Sequence, residues 1–313
     1  MLFVCFFPQI ASGPISKAKD LLPQIKKTRP FSETQFVDGL RWLLWGMFLK
    51  VCVADRLSTV VDSVYNFYEY NSGMSLFTAS ILYTFQIYSD FAGYSFMAMG
   101  VGKTMGFDLV NNFNHPYLSM SVTEFWRRWH ISLSTWLKDN VYIPLGGNRC
   151  SKLRNYWNIF ITFLVSGLWH GANWTFVIWG ILHGLFQIIE KMLNLHKSKS
   201  KGFIRALRVF ITFILVNFAW IYFRMPTIES ANCVVAKIFT DFSLDFSVIM
   251  GQKFLIFPLY IMIIKDVIDE FKPSFNVFYS RNMFVRWFSY WVCIMLILLF
   301  GVFDAGQFIY VSF

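Results

Sequence analysis

Long apolar segments constrain this chain most, because a helix needs about 20 mostly apolar residues to cross the roughly 30 Å hydrocarbon core of a bilayer. Four windows meet that length, residues 36–54, 75–100, 203–223 and 284–303. Residues 158–189 are long enough for two helices joined at Gly171 and Ala172, and residues 254–268 form a shorter candidate. The sequence therefore predicts an all-α polytopic membrane protein with about seven transmembrane helices.

The composition agrees with that fold class. Of the 313 residues, 56% are hydrophobic and 15% are charged, whereas a soluble domain has about 25% charged residues. The five cysteines are widely spaced and never form a C-x-x-C pair, which argues against a disulfide scaffold and a zinc ribbon. Sequence motifs for P-loop ATP binding, a serine hydrolase elbow and a zinc protease are also missing, so we expect no metal site.

The basic residues alternate between loops and predict the orientation. Twenty-two Lys and Arg residues fall on one set of loops, and only Arg56 and Lys237 fall on the other. By the positive-inside rule, residues 17–29, 101–157 and 197–208 face the cytoplasm and residues 65–73 face outward. The net charge of +10 then reflects loops beside anionic lipid rather than nucleic-acid binding. We expect a multi-pass protein of the cytoplasmic membrane.

The longest cytoplasmic segment, residues 101–157, is rich in Trp, Tyr and His, which is typical of an interfacial or re-entrant region. Ser121 and Glu124 have the spacing of a capping box, so we expect a helix to begin at Val122 and continue toward Pro144. One face of that helix would carry the following residues: Trp126, His130, Leu133 and Leu137.

Four histidines lie in or near apolar segments, where an ionisable side chain is costly and therefore suggests function. His170 is the strongest candidate, since SGLWHGANW combines it with a helix break and the amide of Asn173. The structural alternative is a buried histidine hydrogen-bonded to a neighbouring helix. For His130 the two interpretations are balanced, and for His183 and His115 the structural one is favoured. The fifth histidine, His196, lies in a Lys/Ser tract and is expected to be exposed.

Three charged residues also need an explanation. Asp90 lies well inside an apolar window and predicts either a substrate or proton-relay role or a structural hydrogen-bond anchor. Arg127 and Arg128, one turn before His130, could bind the phosphates of a thioester donor. They could equally be ordinary positive-inside anchors.

Four sequence strings carry a resemblance to a known family. They are FFPQIASGPI (6–15), QIYSDFAGYSFMAMG (86–100), FNHPYLSMSVTEFWRRWHISLSTWLKDNVYIPLGGNR (113–149) and SGLWHGANWTFVIWGILHG (166–184). These strings resemble the membrane-bound O-acyltransferase family, and within it the alginate O-acetyltransferase branch. D-alanyl-lipoteichoic acid transferases share the RWH and WHG elements, but PLGGNR and WHGANWTF resemble the acetylating branch.

The resemblance implies a helical ring around a funnel, formed by a single domain, residues 1–313, that lacks several helices found before FFPQ in the family. The family's WHG histidine corresponds to His170 and its RWH histidine to His130. No bound cofactor is implied; an acyl thioester, either acetyl-CoA or an acyl carrier, serves as co-substrate. The acceptor would be an extracytoplasmic, alginate-like polysaccharide or an acetyl-accepting partner protein.

The predicted function is therefore O-acyl transfer, most simply of acetyl, with His170 as general base or acyl-transfer catalyst and His130 as the second catalytic residue. The predicted substrate-binding residues are Arg127, Arg128, Asn173, Trp126 and Asp90. Three alternatives stay open: D-alanyl transfer to teichoic acid, a non-enzymatic transporter or export component, and an inactive fragment.

Overall fold

The computed structural model describes residues 3, 5–10, 13–195, 200–241, 243, 245, 251 and 256–303, and this described part is helical with no β-strand. His196 lies outside it. The α-helices, in chain order, are α1 Phe7–Ile10, α2 Ala18–Lys26, α3 Glu33–Met47, α4 Asp55–Tyr65, α5 Gly73–Thr104, α6 Val122–Arg128, α7 Ile131–Leu137, α8 Lys152–His170, α9 Trp174–Met192, α10 Gly202–Arg224, α11 Ile228–Thr240, α12 Phe257–Phe271 and α13 Met283–Phe300. Two π-helical segments, Phe48–Ala54 and Lys138–Tyr142, follow α3 and α7.

The predicted apolar windows correspond to helices. Residues 36–54 form most of α3 and the π-helical segment, and residues 158–189 form two helices with a break at residues 171–173, as predicted. On length and composition, α10 and α13 could each cross a membrane. Other helices carry buried polar residues such as Asn155, Asn158 and Ser166 in α8, which lower their apolar content. The total of about seven spans therefore remains a prediction.

The helix predicted from Val122 to Pro144 is interrupted, which corrects the sequence prediction. Its start is confirmed, because the hydroxyl of Ser121 accepts a hydrogen bond from the Glu124 N–H at 3.0 Å. However, α6 ends at Arg128, and His130 adopts the left-handed conformation, with φ 42° and ψ 55°. The turn buries Trp129 against Trp220, with ring centroids 5.2 Å apart. Tertiary packing of that indole thus overrides the continuous helix.

The chain divides into two compact units. The first comprises described residues within 1–59, 85–113 and 252–312, and the second comprises those within 60–84 and 114–251. In the first unit, α5 packs closely enough on α3 that a Cβ at Gly46 would lie 2.7 Å from the Gly93 carbonyl oxygen. The second unit contains the pair formed by α8 and α9. The expectation of a single domain stays a prediction.

Candidate active site

His170 is the last residue of α8, at the break before α9. The break is built by two neighbours. Asn173 caps α9, because its side-chain oxygen accepts a hydrogen bond from the Thr175 N–H at 3.1 Å. A Cβ at Gly171 would lie 2.8 Å from Cε2 of Phe176, so the close approach of that ring requires glycine. The sequence therefore fixes the break that directly follows the histidine.

Aromatic rings enclose the His170 imidazole. Its centroid lies 5.0 Å from Trp179 and 5.2 Å from Phe223, and both rings meet it nearly edge to face. Trp169 contacts it from within α8, with centroids 5.0 Å apart. His170 is only 8% exposed. Because edge-to-face packing is directional, these contacts fix the plane of the imidazole rather than merely burying it.

His130 shares an aromatic neighbour with His170. The ring centroids of His130 and Trp169 are 6.3 Å apart, so both histidines contact one indole. His130 is buried, and its carbonyl oxygen accepts the first hydrogen bond of α7, from the Ser134 N–H at 2.9 Å. Positive charge on one histidine would repel positive charge on the other. The structure therefore brings together the two histidines that the sequence singled out.

His183 lies at the centre of the same aromatic cluster, consistent with the structural interpretation. Its Nδ1 accepts a hydrogen bond from the indole N–H of Trp126 at 3.2 Å, and its ring centroid lies 5.0 Å from Trp179. The polar atom of Trp126 is thus already engaged within the protein. A role for Trp126 in substrate binding stays a prediction and would use its ring rather than its N–H.

Two buried indole N–H groups near His170 have no hydrogen-bond partner among the described residues. They belong to Trp179 and Trp220, whose rings stack with centroids 5.7 Å apart. An indole N–H can only donate, so the chemistry that suits it is an oxygen acceptor. Within the described part of the chain, no group of three His, Cys, Asp or Glu side chains is arranged to hold a metal ion.

The other predicted site residues of this unit have distinct surroundings. Arg128 pairs with Glu124 at 2.7 Å, whereas Arg127 is exposed. The side-chain N–H of Asn173 donates to the Pro226 carbonyl oxygen at 2.8 Å, so both ends of its amide are engaged. Arg127 is therefore the most available of the three for a ligand.

Asp90 belongs to the first unit, where it is fully buried. Its Oδ1 accepts a hydrogen bond from Lys50 Nζ at 2.7 Å, and the same ammonium lies 2.8 Å from Asp55 Oδ1. Lys50 is not among the residues predicted from the sequence, although a lysine inside an apolar window is a visible signal for the partner that Asp90 needs. The ion pair supports the structural interpretation of Asp90, and a substrate role stays a prediction.

Glu190 is a second residue that the sequence-based predictions did not include. Its buried carboxylate accepts hydrogen bonds at the start of α6, from the Val122 N–H and from both the N–H and the hydroxyl of Thr123, the latter two at 3.0 Å. The signal was available, because Glu190 is the single carboxylate in α9, but the predicted apolar window ended one residue earlier. Glu190 thereby links α9 to the helix that precedes His130.

Comparisons with known proteins agree with the motifs. The profile of the membrane-bound O-acyltransferase (MBOAT) family matches residues 1–235. Probable alginate O-acetylase AlgI of Azotobacter vinelandii is 42% identical over 238 residues, covering 76% of this chain and 47% of that protein. Peptidoglycan O-acetyltransferase of Helicobacter pylori is 40% identical, covering 74% and 44%. Teichoic acid D-alanyltransferase of Streptococcus thermophilus is 29% identical, covering 71% and 60%. The chain spans about half the length of the acetylating relatives.

Proposed function

The chain belongs to the membrane-bound O-acyltransferase family, as its motifs indicated, and from this premise we propose that it transfers an acetyl group from a thioester donor to a hydroxyl group of an extracytoplasmic polysaccharide. One observation carries the proposal. His170 and His130, the histidines of the WHG and RWH motifs, are both buried and both contact the ring of Trp169.

The proposed chemistry needs one base. A neutral imidazole of His170 accepts the proton of the acceptor hydroxyl as its oxygen attacks the acyl carbon. The carbon–sulfur bond then breaks, and the departing thiolate takes the proton to become a thiol. Positioned acid–base catalysis of this kind contributes about 10² to 10⁴-fold. The enclosed ring of His170 suits the role, because its orientation is fixed before substrate binds.

Two further groups fit the reacting thioester. Charge develops on the acyl oxygen during attack, and a preorganised donor stabilises it strongly. The N–H of Trp179, which belongs to a ring against His170, could supply that donor. On the donor side, the exposed guanidinium of Arg127 suits the phosphates of a CoA-like thioester. Arg128, Asn173, Trp126 and Asp90 have protein partners and are weaker candidates.

The proposal includes the membrane topology. About seven helices, α10 and α13 among them, would cross the cytoplasmic membrane around a funnel, with residues 101–157 at the cytoplasmic face. The donor would then enter from the cytoplasm and the acceptor from outside. Family membership and the uneven distribution of basic residues support this arrangement.

Replacing His170 tests the catalytic assignment. In membranes containing the full-length protein, His170→Gln should lower transfer of labelled acetyl from acetyl-CoA to polysaccharide by about 10² to 10⁴-fold, because glutamine cannot accept the proton. The control is His115→Asn, which replaces a histidine outside the proposed catalytic pair; His115 has a left-handed backbone, and asparagine tolerates this conformation. It should keep near-normal activity. Normal transfer by His170→Gln at equal membrane abundance would refute the assignment.

D-alanyl transfer is the second candidate, supported by the 29% identity to teichoic acid D-alanyltransferase. The higher identity to acetylating relatives favours acetyl. The same membranes can be given a labelled D-alanyl thioester with teichoic acid. Label on teichoic acid and none on acetyl acceptors would replace the proposal, and label on neither acceptor would favour a transporter or an inactive fragment.

A further inference from the structure

We propose that Glu190 is a positioning residue that fixes the backbone of His130 by holding the start of α6. The consequence for catalysis rests on the proposed function. The structural part does not, since it concerns only the contacts between α9 and the segment that ends at His130.

One buried carboxylate accepts hydrogen bonds from three donors at the start of α6. Glu190 is 8% exposed and accepts from the Val122 N–H, the Thr123 N–H and the Thr123 hydroxyl. The first N–H groups of a helix have no partner inside the helix, and Glu190 supplies one for two of them. A buried carboxylate is costly unless it is hydrogen-bonded in this way. Glu190 therefore supplies acceptors for the unpaired N–H groups of α6, and these groups offset the cost of burying its carboxylate.

The position of Glu190 in its own helix also points to α6. It lies in the last turn of α9, where the helix dipole disfavours negative charge. The same carboxylate lies at the first turn of α6, where the dipole favours it. The placement is unfavourable for α9 alone and favourable for α6, so the contact with α6 explains it.

Shortly after α6 the chain adopts an unusual backbone conformation at His130. His130 is left-handed, a conformation that a residue with a Cβ adopts at a cost and keeps only when its surroundings hold it. The contacts that hold α6 include Glu190 at its start, His183 through Trp126, and the Asn114 N–H, which donates to the Arg128 carbonyl oxygen at 2.9 Å. Removing the Glu190 carboxylate should therefore make the backbone between the start of α6 and His130 more mobile.

Hydrogen exchange tests the structural part on the full-length protein in detergent. Glu190→Leu introduces an apolar side chain of similar size and removes both acceptor oxygens. We expect the amides of residues 121–130 to exchange about tenfold faster, with α10 and α11 unchanged. Glu190→Gln, which keeps one acceptor oxygen, should give a smaller increase and provides a milder variant if Glu190→Leu folds poorly. Unchanged exchange in both variants would overturn the proposal.

Kinetics test the consequence for His130. Glu190→Gln should lower kcat about tenfold or more with little change in KM for the thioester, because displacing His130, the predicted second catalytic residue, lowers the rate rather than the binding of substrate. In a His130→Ala background, Glu190→Gln should lower kcat no further. Independent, multiplying losses would show a general structural role and refute the positioning role. Thr227→Ala, which removes the cap of α11, controls for the loss of a helix cap elsewhere. If His170→Gln stays active, the proposed function fails, while the exchange result still decides the role of Glu190.

Discussion

At the scale of single residues, two adjacent arginines have different surroundings. Arg128 is partly buried and pairs with Glu124 one turn earlier, so its charge stabilises α6. Arg127 projects from the same helix and is exposed. The sequence treats the two residues alike as candidates for donor binding, and the structure separates them.

The difference predicts different kinetics. Arg127→Gln should raise the KM for the thioester about tenfold at nearly constant kcat, since a hydrogen bond between charged groups contributes about 1.5–3 kcal/mol. Arg128→Gln, the matched control, should leave that KM nearly unchanged. The measurement is the initial rate against thioester concentration at equal amounts of inserted protein. Equal KM values for wild type and Arg127→Gln would remove Arg127 from the donor site.

At the scale of elements, the close packing of α8 and α9 determines where His170 lies. A Cβ at Gly180 would lie 2.4 Å from the Phe163 carbonyl oxygen, and one at Gly167 would lie 2.4 Å from the Phe176 carbonyl oxygen. Small residues at such positions let two helix backbones approach closely, as in membrane helix pairs. The pair in turn holds Trp179 against His170.

This packing predicts a position-dependent effect of alanine. Gly180→Ala should lower the free energy of unfolding by about 1–3 kcal/mol, because backbone atoms of α8 must move. Gly184→Ala on the same helix is the matched control. Its Cβ would meet atoms at 3.4 Å or more, so the higher helix propensity of alanine should leave stability unchanged or slightly higher. Thermal unfolding in detergent measures both, and equal shifts would contradict the close-packing explanation.

At the scale of the whole molecule, the distribution of charge predicts orientation. Tyr70, in the predicted outer loop, is 86% exposed, and Lys201, in a predicted cytoplasmic loop, is also exposed. In intact cells, Tyr70→Cys should react with an impermeant thiol reagent, whereas Lys201→Cys should react only after permeabilisation. The parent chain provides the baseline for its native cysteines. The opposite pattern would reverse the proposed orientation and the side from which the donor enters.

The sequence by itself determined the helical class, the family and the break after His170. These features depend on local signals: apolar runs, glycine and asparagine at a break, a serine cap, and contiguous motifs. Such signals act within a few residues, so the start of α6, the end of α8 and the start of α9 were predictable.

The tertiary structure alone decided which partners the buried side chains have. Packing of Trp129 interrupted the helix at His130, Lys50 paired with Asp90, and Glu190 bonded to α6 from a helix more than sixty residues later. Each of these contacts joins residues far apart in the chain. Side-chain partners at that separation depend on which elements fold against one another, because a buried charge or N–H group is satisfied by whatever packing brings near it, not by its neighbours in sequence.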